Sequence, residues 1–321
     1  VTITLALGAQ RMLRRNALIR KLPAVETLGA VTVICSDKTG TLTENRMTVT
    51  VVDAAGERLD LMETLRRQRP SVTADERRAS ADWDVPLPIR LTLAAAALCN
   101  DAVLNADSGS GCLTALGDPT EGALLIAAVR TGMAPDRLQK AAPRTAEAPF
   151  DSSRKRMTTV HRLAEDLPEA LQPFQASGLV AFTKGAADSL LTLAAQVWDG
   201  KRPEPLTDAW RARIRTASEH LARDGMRVLG VACRQLDGAA AALPAERLES
   251  DLTFLGLIGL MDPPRSAVRP AVAACKAAGI RPVMITGDHP LTAAAVASDL
   301  GLAERPEAVT GEALNRMGPS E

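Results

Sequence analysis

Three short apolar runs, each halted by a polar loop, constrain what this chain can fold into: Val31-Thr32-Val33-Ile34-Cys35, Leu255-Gly256-Leu257-Ile258-Gly259-Leu260 and Pro282-Val283-Met284-Ile285. Runs without polar alternation read as strands covered on both faces, as in a parallel sheet between helices. The polar stops begin at Ser36-Asp37, Asp262 and Thr286. Between the second and third runs a helix is predicted, started by Ser266, striped by Val268, Val272 and Cys275, and ended by Gly279. Such a strand–helix–strand unit implies a right-handed crossover. Another helix is predicted over 290–301.

The first run lies far from the other two. The stretch between them, roughly 49–254, mixes strand-like pieces (157–161, 179–183, 226–232) with helix-like ones (91–99, 121–130, 186–198, 209–223), an α+β pattern. One α/β domain is therefore expected to be split by an inserted second domain. A length of 321 residues suffices for about two domains. The Arg-rich stretch 66–81 reads as a loop.

Composition excludes several classes. Basic and acidic side chains cancel at 38 each, which argues against a nucleic-acid binder. There is no Tyr and only four Phe and three Trp, so base-stacking platforms are scarce. At 46% apolar residues the chain is too hydrophobic for disorder. Five cysteines, an odd number with no C-x-x-C, read as reduced and mostly buried thiols rather than a disulfide framework or zinc site. No run approaches the ~20 apolar residues of a membrane span. Val1-Thr2-Ile3-Thr4-Leu5-Ala6-Leu7 is apolar but soon meets Arg11, Arg14 and Arg15, and reads as the last turns of a helix begun upstream.

Ligands of open α/β sheets sit at the carboxyl ends of strands. Two such ends carry suggestive chemistry: Asp37-Lys38-Thr39-Gly40-Thr41-Leu42-Thr43 and Thr286-Gly287-Asp288. An aspartate directly after a buried strand can attack phosphorus and form an aspartyl phosphate. The neighbouring glycine and threonines supply N–H and hydroxyl donors for phosphoryl oxygens, and Thr286-Gly287 before a helix is a second anion seat. Taken singly, Asp37 is equally a turn residue and Thr286 a helix cap. Many aspartate-based phosphatases place a second carboxylate two residues after the nucleophile to activate water. Here that position is Thr39. Hydrolysis of the acyl phosphate is then expected to be slow.

The segment Asp37-Lys38-Thr39-Gly40-Thr41-Leu42-Thr43 resembles the phosphorylation signature of the P-type ATPases, ion pumps of the haloacid-dehalogenase superfamily. The resemblance runs end to end in family order. Leu5-Ala6-Leu7-Gly8 with Arg11-Met12, then Leu22-Pro23-Ala24-Val25-Glu26-Thr27-Leu28-Gly29, is similar to the exit from the fourth membrane helix. Met261-Asp262-Pro263-Pro264-Arg265 and Met284-Ile285-Thr286-Gly287-Asp288-His289-Pro290 resemble later phosphorylation-domain motifs. Pro149-Phe150-Asp151-Ser152 with Lys155-Arg156-Met157 resembles the adenine-pocket segment, and Thr183-Lys184-Gly185-Ala186 the nucleotide-domain lysine motif. Asp118-Pro119-Thr120-Glu121 and Gly225-Met226-Arg227-Val228-Leu229 fit as well.

The resemblance implies a haloacid-dehalogenase-like Rossmannoid parallel-sheet domain, incomplete at its C-terminus, with an inserted α+β nucleotide-binding domain. Its parts would be 1–29 (end of the fourth membrane helix and stalk), 30–48 and 255–321 (phosphorylation domain), and 49–254 (nucleotide-binding domain). Asp37 would be the phosphorylated nucleophile, with Lys38 in the same catalytic loop and Thr39 contacting Mg²⁺ and the γ-phosphate. Thr286, Gly287 and Asp288 would hold the phosphate and ribose side of ATP. Phe150 would stack on adenine, while Glu121, Ser152, Lys155, Lys184, Gly185, Arg227 and Asp262 would complete the nucleotide site. Each also has an ordinary structural reading: Phe150 as core, Glu121 as a first-turn acid, Lys184 as a solvated charge, Arg227 as a snorkelling side chain.

Val33-Ile34-Cys35-Ser36 and Glu44-Asn45-Arg46-Met47-Thr48 look like the calcium and sodium pumps, and the bacterial calcium-pump type is the first choice. Ser218-Glu219-His220-Leu221 imitates the Ser-Glu-His-Pro motif of soft-metal pumps but lacks its proline, so His220 reads as an ordinary helix residue. The family's Gly-Asp-Gly-x-Asn-Asp motif, the lysine before it and the Pro-Glu-Gly-Leu-Pro of the ion site do not occur. The chain therefore reads as a fragment from the cytoplasmic face of a membrane pump, truncated at both ends, that binds ATP without sustaining turnover. Its partners would be ATP, the missing membrane and actuator domains and, in the whole pump, the transported cation. The alternatives are a soluble phosphatase of the same superfamily with a large cap domain, and a non-catalytic nucleotide-binding module.

Overall fold

The computed structural model describes residues 2–14, 17–21, 23–61, 85–106, 113–236, 245–287 and 290–318. The Arg-rich stretch 66–81, Cys112 and Asp288 lie outside them. In chain order the elements are α1 (Thr2–Leu13), α2 (Pro23–Gly29), β1 (Val33–Asp37), β2 (Thr48–Ala54), β3 (Glu57–Asp60), α3 (Leu87–Leu98), β4 (Val103–Ala106) and β5 (Leu113–Leu116). Then follow α4 (Pro119–Arg130), α5 (Pro135–Ala141), β6 (Arg144–Asp151), β7 (Arg156–Arg162), β8 (Leu179–Gly185), α6 (Ala187–Leu193), β9 (Ala194–Trp198), β10 (Pro203–Pro205) and α7 (Asp208–Arg223). The chain closes with β11 (Arg227–Leu236), α8 (Ala245–Leu248), β12 (Leu252–Met261), α9 (Val268–Ala277), β13 (Arg281–Ile285), α10 (Pro290–Asp299) and α11 (Gly311–Leu314). Among the described residues no helix is long and apolar enough to cross a membrane.

Contacts divide the chain into two compact units, one of residues 1–44 and 264–321 and the other of residues 45–263. In the first, β1 and β13 pair in parallel, with Asp37 opposite Ile285. Val268 and Val272 on α9, Val296 on α10 and Leu300 just beyond it form a small apolar cluster with Leu42. Of the predicted stripe, Val268 and Val272 are the buried face of α9, while Cys275 is only half-buried and outside the cluster.

The second unit is built on a mostly antiparallel sheet of order β10-β9-β12-β11-β8-β7-β6, with β2 and β3 joined through β12. α3 is buried on nearly all sides and fills one face of this sheet, in a cluster with Leu255, Ile258 and Leu260. Leu190 and Leu191 of α6 and Ile214 and Leu221 of α7 fill the other, with Phe254 and Leu257. Gly256 lets α3 and β2 approach: a Cβ there would stand 2.8 Å from the Asp53 carbonyl and 2.9 Å from Thr92 Oγ1.

Two expectations are corrected here. The run 255–260 does not join the parallel sheet; as part of β12 it pairs antiparallel with β11 and β2. Helices on both faces make a central antiparallel strand as uniformly apolar as a parallel one, so patterning cannot separate them. The helix expected over 186–198 stops at Leu193, and Ala194–Trp198 is a strand beside β12 and β10. Sheet pairing there overrides the helical preference of the alanines. Cys99 and Cys233 are buried thiols, whereas Cys35 is exposed.

His161 on β7 is buried, its Nδ1–H donating to the Ala142 carbonyl at 2.7 Å and its Nε2 accepting from Thr159 Oγ1 at 2.8 Å. Burial is the main cause that lowers its pKa from 6.5 to about 4, against the opposing Ala142 bond and with help from the Arg144 charge. A folded-state pKa below the unfolded one makes the neutral ring stabilising. Its contribution is complete above pH 6.5 and is lost as pH falls towards 4. The expected loss is about 3 kcal/mol. Urea midpoints of the wild type and His161→Gln should converge over that range; parallel profiles would refute the assignment.

Candidate functional site

In the first unit β1 ends at Asp37, whose carboxylate accepts the Thr39 N–H at 3.3 Å. A wide turn follows over Lys38–Leu42, with Gly40 at φ +76°, in the left-handed region that favours glycine. Thr43, wholly buried, closes the turn. Its hydroxyl donates to the Lys38 carbonyl at 3.1 Å and accepts from the Gly40 N–H at 3.3 Å. Arg265 braces the loop from the other side of the chain, donating through Nη2 to the Gly40 carbonyl at 2.9 Å and through its own N–H to the Leu42 carbonyl at 3.0 Å. Asp37 and Thr39 are exposed while Lys38 is buried.

Because Asp37 pairs with Ile285, Thr286 and Gly287 leave β13 beside the end of β1, and the structure brings Asp37 and Thr286 to one strand-end edge. Among the described residues no three His, Cys, Asp or Glu side chains cluster to hold a metal. Asp37 supplies one exposed hard carboxylate. That fits Mg²⁺, which keeps several waters and is shared with substrate phosphates.

In the second unit the nucleotide candidates gather at one end of the sheet. β8 arrives there with Lys184 and Gly185, opposite Met157 and Arg156 of β7 and Val231 and Gly230 of β11. The Lys184 ammonium is buried and donates to Glu121 Oε1 and to the Cys99 carbonyl, each at 2.5 Å. Glu121 lies in the first turn of α4, capped by Asp118, and its other oxygen accepts the Asp101 N–H at 3.0 Å. Arg227, at the start of β11, donates to Thr120 Oγ1 at 3.1 Å. A Cβ on Gly185 would stand 2.5 Å from the Lys155 carbonyl, so only glycine lets the β6–β7 turn close over β8.

That hairpin carries Phe150 near the end of β6 and Ser152 and Lys155 in its turn. Asp151 folds it, accepting from the N–H groups of Ser153 and Arg154 at 2.9 Å, and the Ser153 hydroxyl leads the bonds that hold its carboxyl below the usual range. Phe150 is 64% exposed, whereas Phe174, Phe182 and Phe254 are fully buried. Asp262, beyond the end of β12, spends a carboxylate oxygen on the Arg46 N–H at 3.0 Å. Thr43, counted in the sequence among the threonines that donate to phosphoryl oxygens, is buried and spends its hydroxyl within the turn, and sequence reading assigned no role to Arg154, Arg265 or Glu249. Their partners lie on other elements or across a turn, and spacing carries no signal of them.

The family model described as P-type ATPase, cytoplasmic domain N, matches residues 89–267, more than half of the chain. The chain belongs to the P-type ATPases. It is 41% identical over its whole length to calcium-transporting ATPase 1 of Bacillus cereus, covering 32% of that protein. It is 38% identical over its whole length to the calcium-transporting ATPase of Bacillus subtilis, covering 34%. It is 41% identical over 98% of its length to a probable cation-transporting ATPase F of Mycobacterium bovis, covering 33%. The chain thus spans about a third of the length of the curated relatives it matches.

Proposed function

We propose that this chain is the catalytic part of an ATP-driven cation pump, calcium being the first candidate ion, which forms an aspartyl phosphate at Asp37. The observation that supports the reading is the parallel register of Asp37 with Ile285, which puts Thr286 next along the chain at the same strand-end edge. On this reading the first unit holds the stalk at 1–29 and a haloacid-dehalogenase-like phosphorylation domain, and the second is the nucleotide-binding domain. The calcium assignment draws support from the names of the Bacillus relatives. A position at the cytoplasmic face of a membrane follows from the same reading.

The proposed step is in-line transfer. An Asp37 carboxylate oxygen bonds to the γ-phosphorus as the bond to the β,γ-bridging oxygen breaks, and ADP leaves with that electron pair. Mg²⁺, held by Asp37 and Thr39, would neutralise charge on the phosphoryl oxygens. Thr286 and Gly287 would donate to those oxygens. Phe150 would stack on adenine, Lys184 and Arg227 would supply positive charge, and Glu121 would set the Lys184 ammonium. With Thr39 where related phosphatases carry a base, nothing in the loop activates water, which suits an intermediate that persists.

A test of the nucleotide half is direct. Base–aromatic stacking contributes about 1–3 kcal/mol, so Phe150→Ala is expected to weaken ADP binding by about tenfold or more, read by calorimetry. Unchanged affinity would remove Phe150 from the site.

A further inference from the structure

The ladder between β6 and β7 fails where Phe150 stands. Ala148 pairs with Thr158 and Asp151 with Arg156, so the β6 side carries one residue more than β7, and Pro149 and Phe150 fall in the bulge. Bulges re-aim side chains, but they also remove the cross-strand bonds that would hold the backbone. Pro149 has no N–H to offer. Something else must fix the peptide that joins it to Phe150.

Arg154 is the group in reach. Its Nη2 donates to the Pro149 carbonyl at 2.7 Å, and its Nη1 to Glu249 Oε1 at 2.5 Å. Glu249 comes from outside the hairpin, just before β12, and its side chain is only 1% exposed. It also accepts from Arg156 Nε at 2.7 Å and from Thr158 Oγ1 at 3.0 Å. Arg156 in turn donates to the Arg154 carbonyl and to Ser189 Oγ, both at 3.0 Å. Charge-assisted bonds to one buried carboxylate thus tie the turn to β7, and Arg156 carries the link on to Ser189 of α6. In the same turn Lys155 holds φ +54°, a conformation that persists only where its surroundings enforce it.

We propose that Arg154, anchored by Glu249, is a positioning residue for purine-nucleotide recognition: it pins the Pro149 carbonyl in the bulge and so presents the Phe150 ring ready to stack. The proposal rests on the stacking role of Phe150 given above. Arg154 itself touches no nucleotide. It lowers the cost of binding by ordering beforehand what the ligand would otherwise have to order.

A double-mutant cycle tests it, with ADP titrated calorimetrically into the 321-residue chain at a temperature where denaturant curves show every variant folded. Arg154→Ala is expected to weaken ADP binding by about tenfold, the worth of a charge-assisted hydrogen bond. In a Phe150→Ala background the same change is expected to cost less than about twofold, since the ring it aims is gone. Glu249→Gln keeps the shape but loosens the anchor, and should weaken ADP in the same direction. If Arg154→Ala does not fold, Arg154→Lys, which keeps one donor, takes its place in the cycle. Equal losses with and without Phe150, or no loss at all, would overturn the positioning role. Unchanged affinity in Phe150→Ala alone would overturn the stacking reading, and this proposal with it.

Discussion

Asp37→Asn is expected to abolish acid-stable, hydroxylamine-labile labelling from radioactive Mg·ATP when this sequence sits in a chain of its relatives' full length. Binding of ADP should persist. The change keeps the side chain's shape and its acceptor for the Thr39 N–H, which stands 3.3 Å away, but it removes the nucleophilic anion. Phosphoryl transfer otherwise relies on positioning and charge neutralisation, and neither can replace the attacking oxygen. The label should therefore fall to background. Its survival would place the nucleophile elsewhere. The 321-residue chain alone is expected to gain heat stability from ADP, as any ligand of the folded state confers.

Lys184→Met is expected to lower the unfolding free energy by about 2–4 kcal/mol, the scale for removing one partner of a buried ion pair. Side-chain exposure is 9% at Lys184 and 14% at Glu121, so water cannot take over. The substitution leaves Glu121 with the Asp101 N–H and the Cys99 carbonyl without its ammonium donor. It also unties β8 from α4 and from the end of α3. Denaturant midpoints measure the loss, and Glu121→Leu added to Lys184→Met should recover part of it, because no uncompensated charge then remains buried. A loss below about 1 kcal/mol would show that the pair is dispensable. The resemblance put Lys184 and Glu121 in one pocket; the structure adds that they bond to each other.

Much of the site is local in sequence. An apolar strand ending in aspartate, a glycine three residues later and threonines around it determine a loop of one shape, because φ +76° at Gly40 and a hydroxyl at Thr43 are enough to close it. The helix stripe at Val268 and Val272 was legible for the same reason: a period of 3.6 residues is written along one element. The order Pro149-Phe150-Asp151 was legible as a motif, yet nothing in it indicated a bulge.

What the sequence alone determined were the properties that neighbours along the chain impose on one another: strand ends, turns, helix faces, and a motif order that identified the family. Tertiary structure decided which strand lies beside which. The run 255–260 looked like a partner of 282–285 and became the centre of the other unit's sheet, since burial on two faces is the same pattern whatever the neighbouring strands. It decided, too, that one carboxylate at Glu249 would gather Arg154, Arg156 and Thr158 across some ninety residues of chain. A charge states its sign in the sequence. Its partner is settled only when folding has removed the water between them.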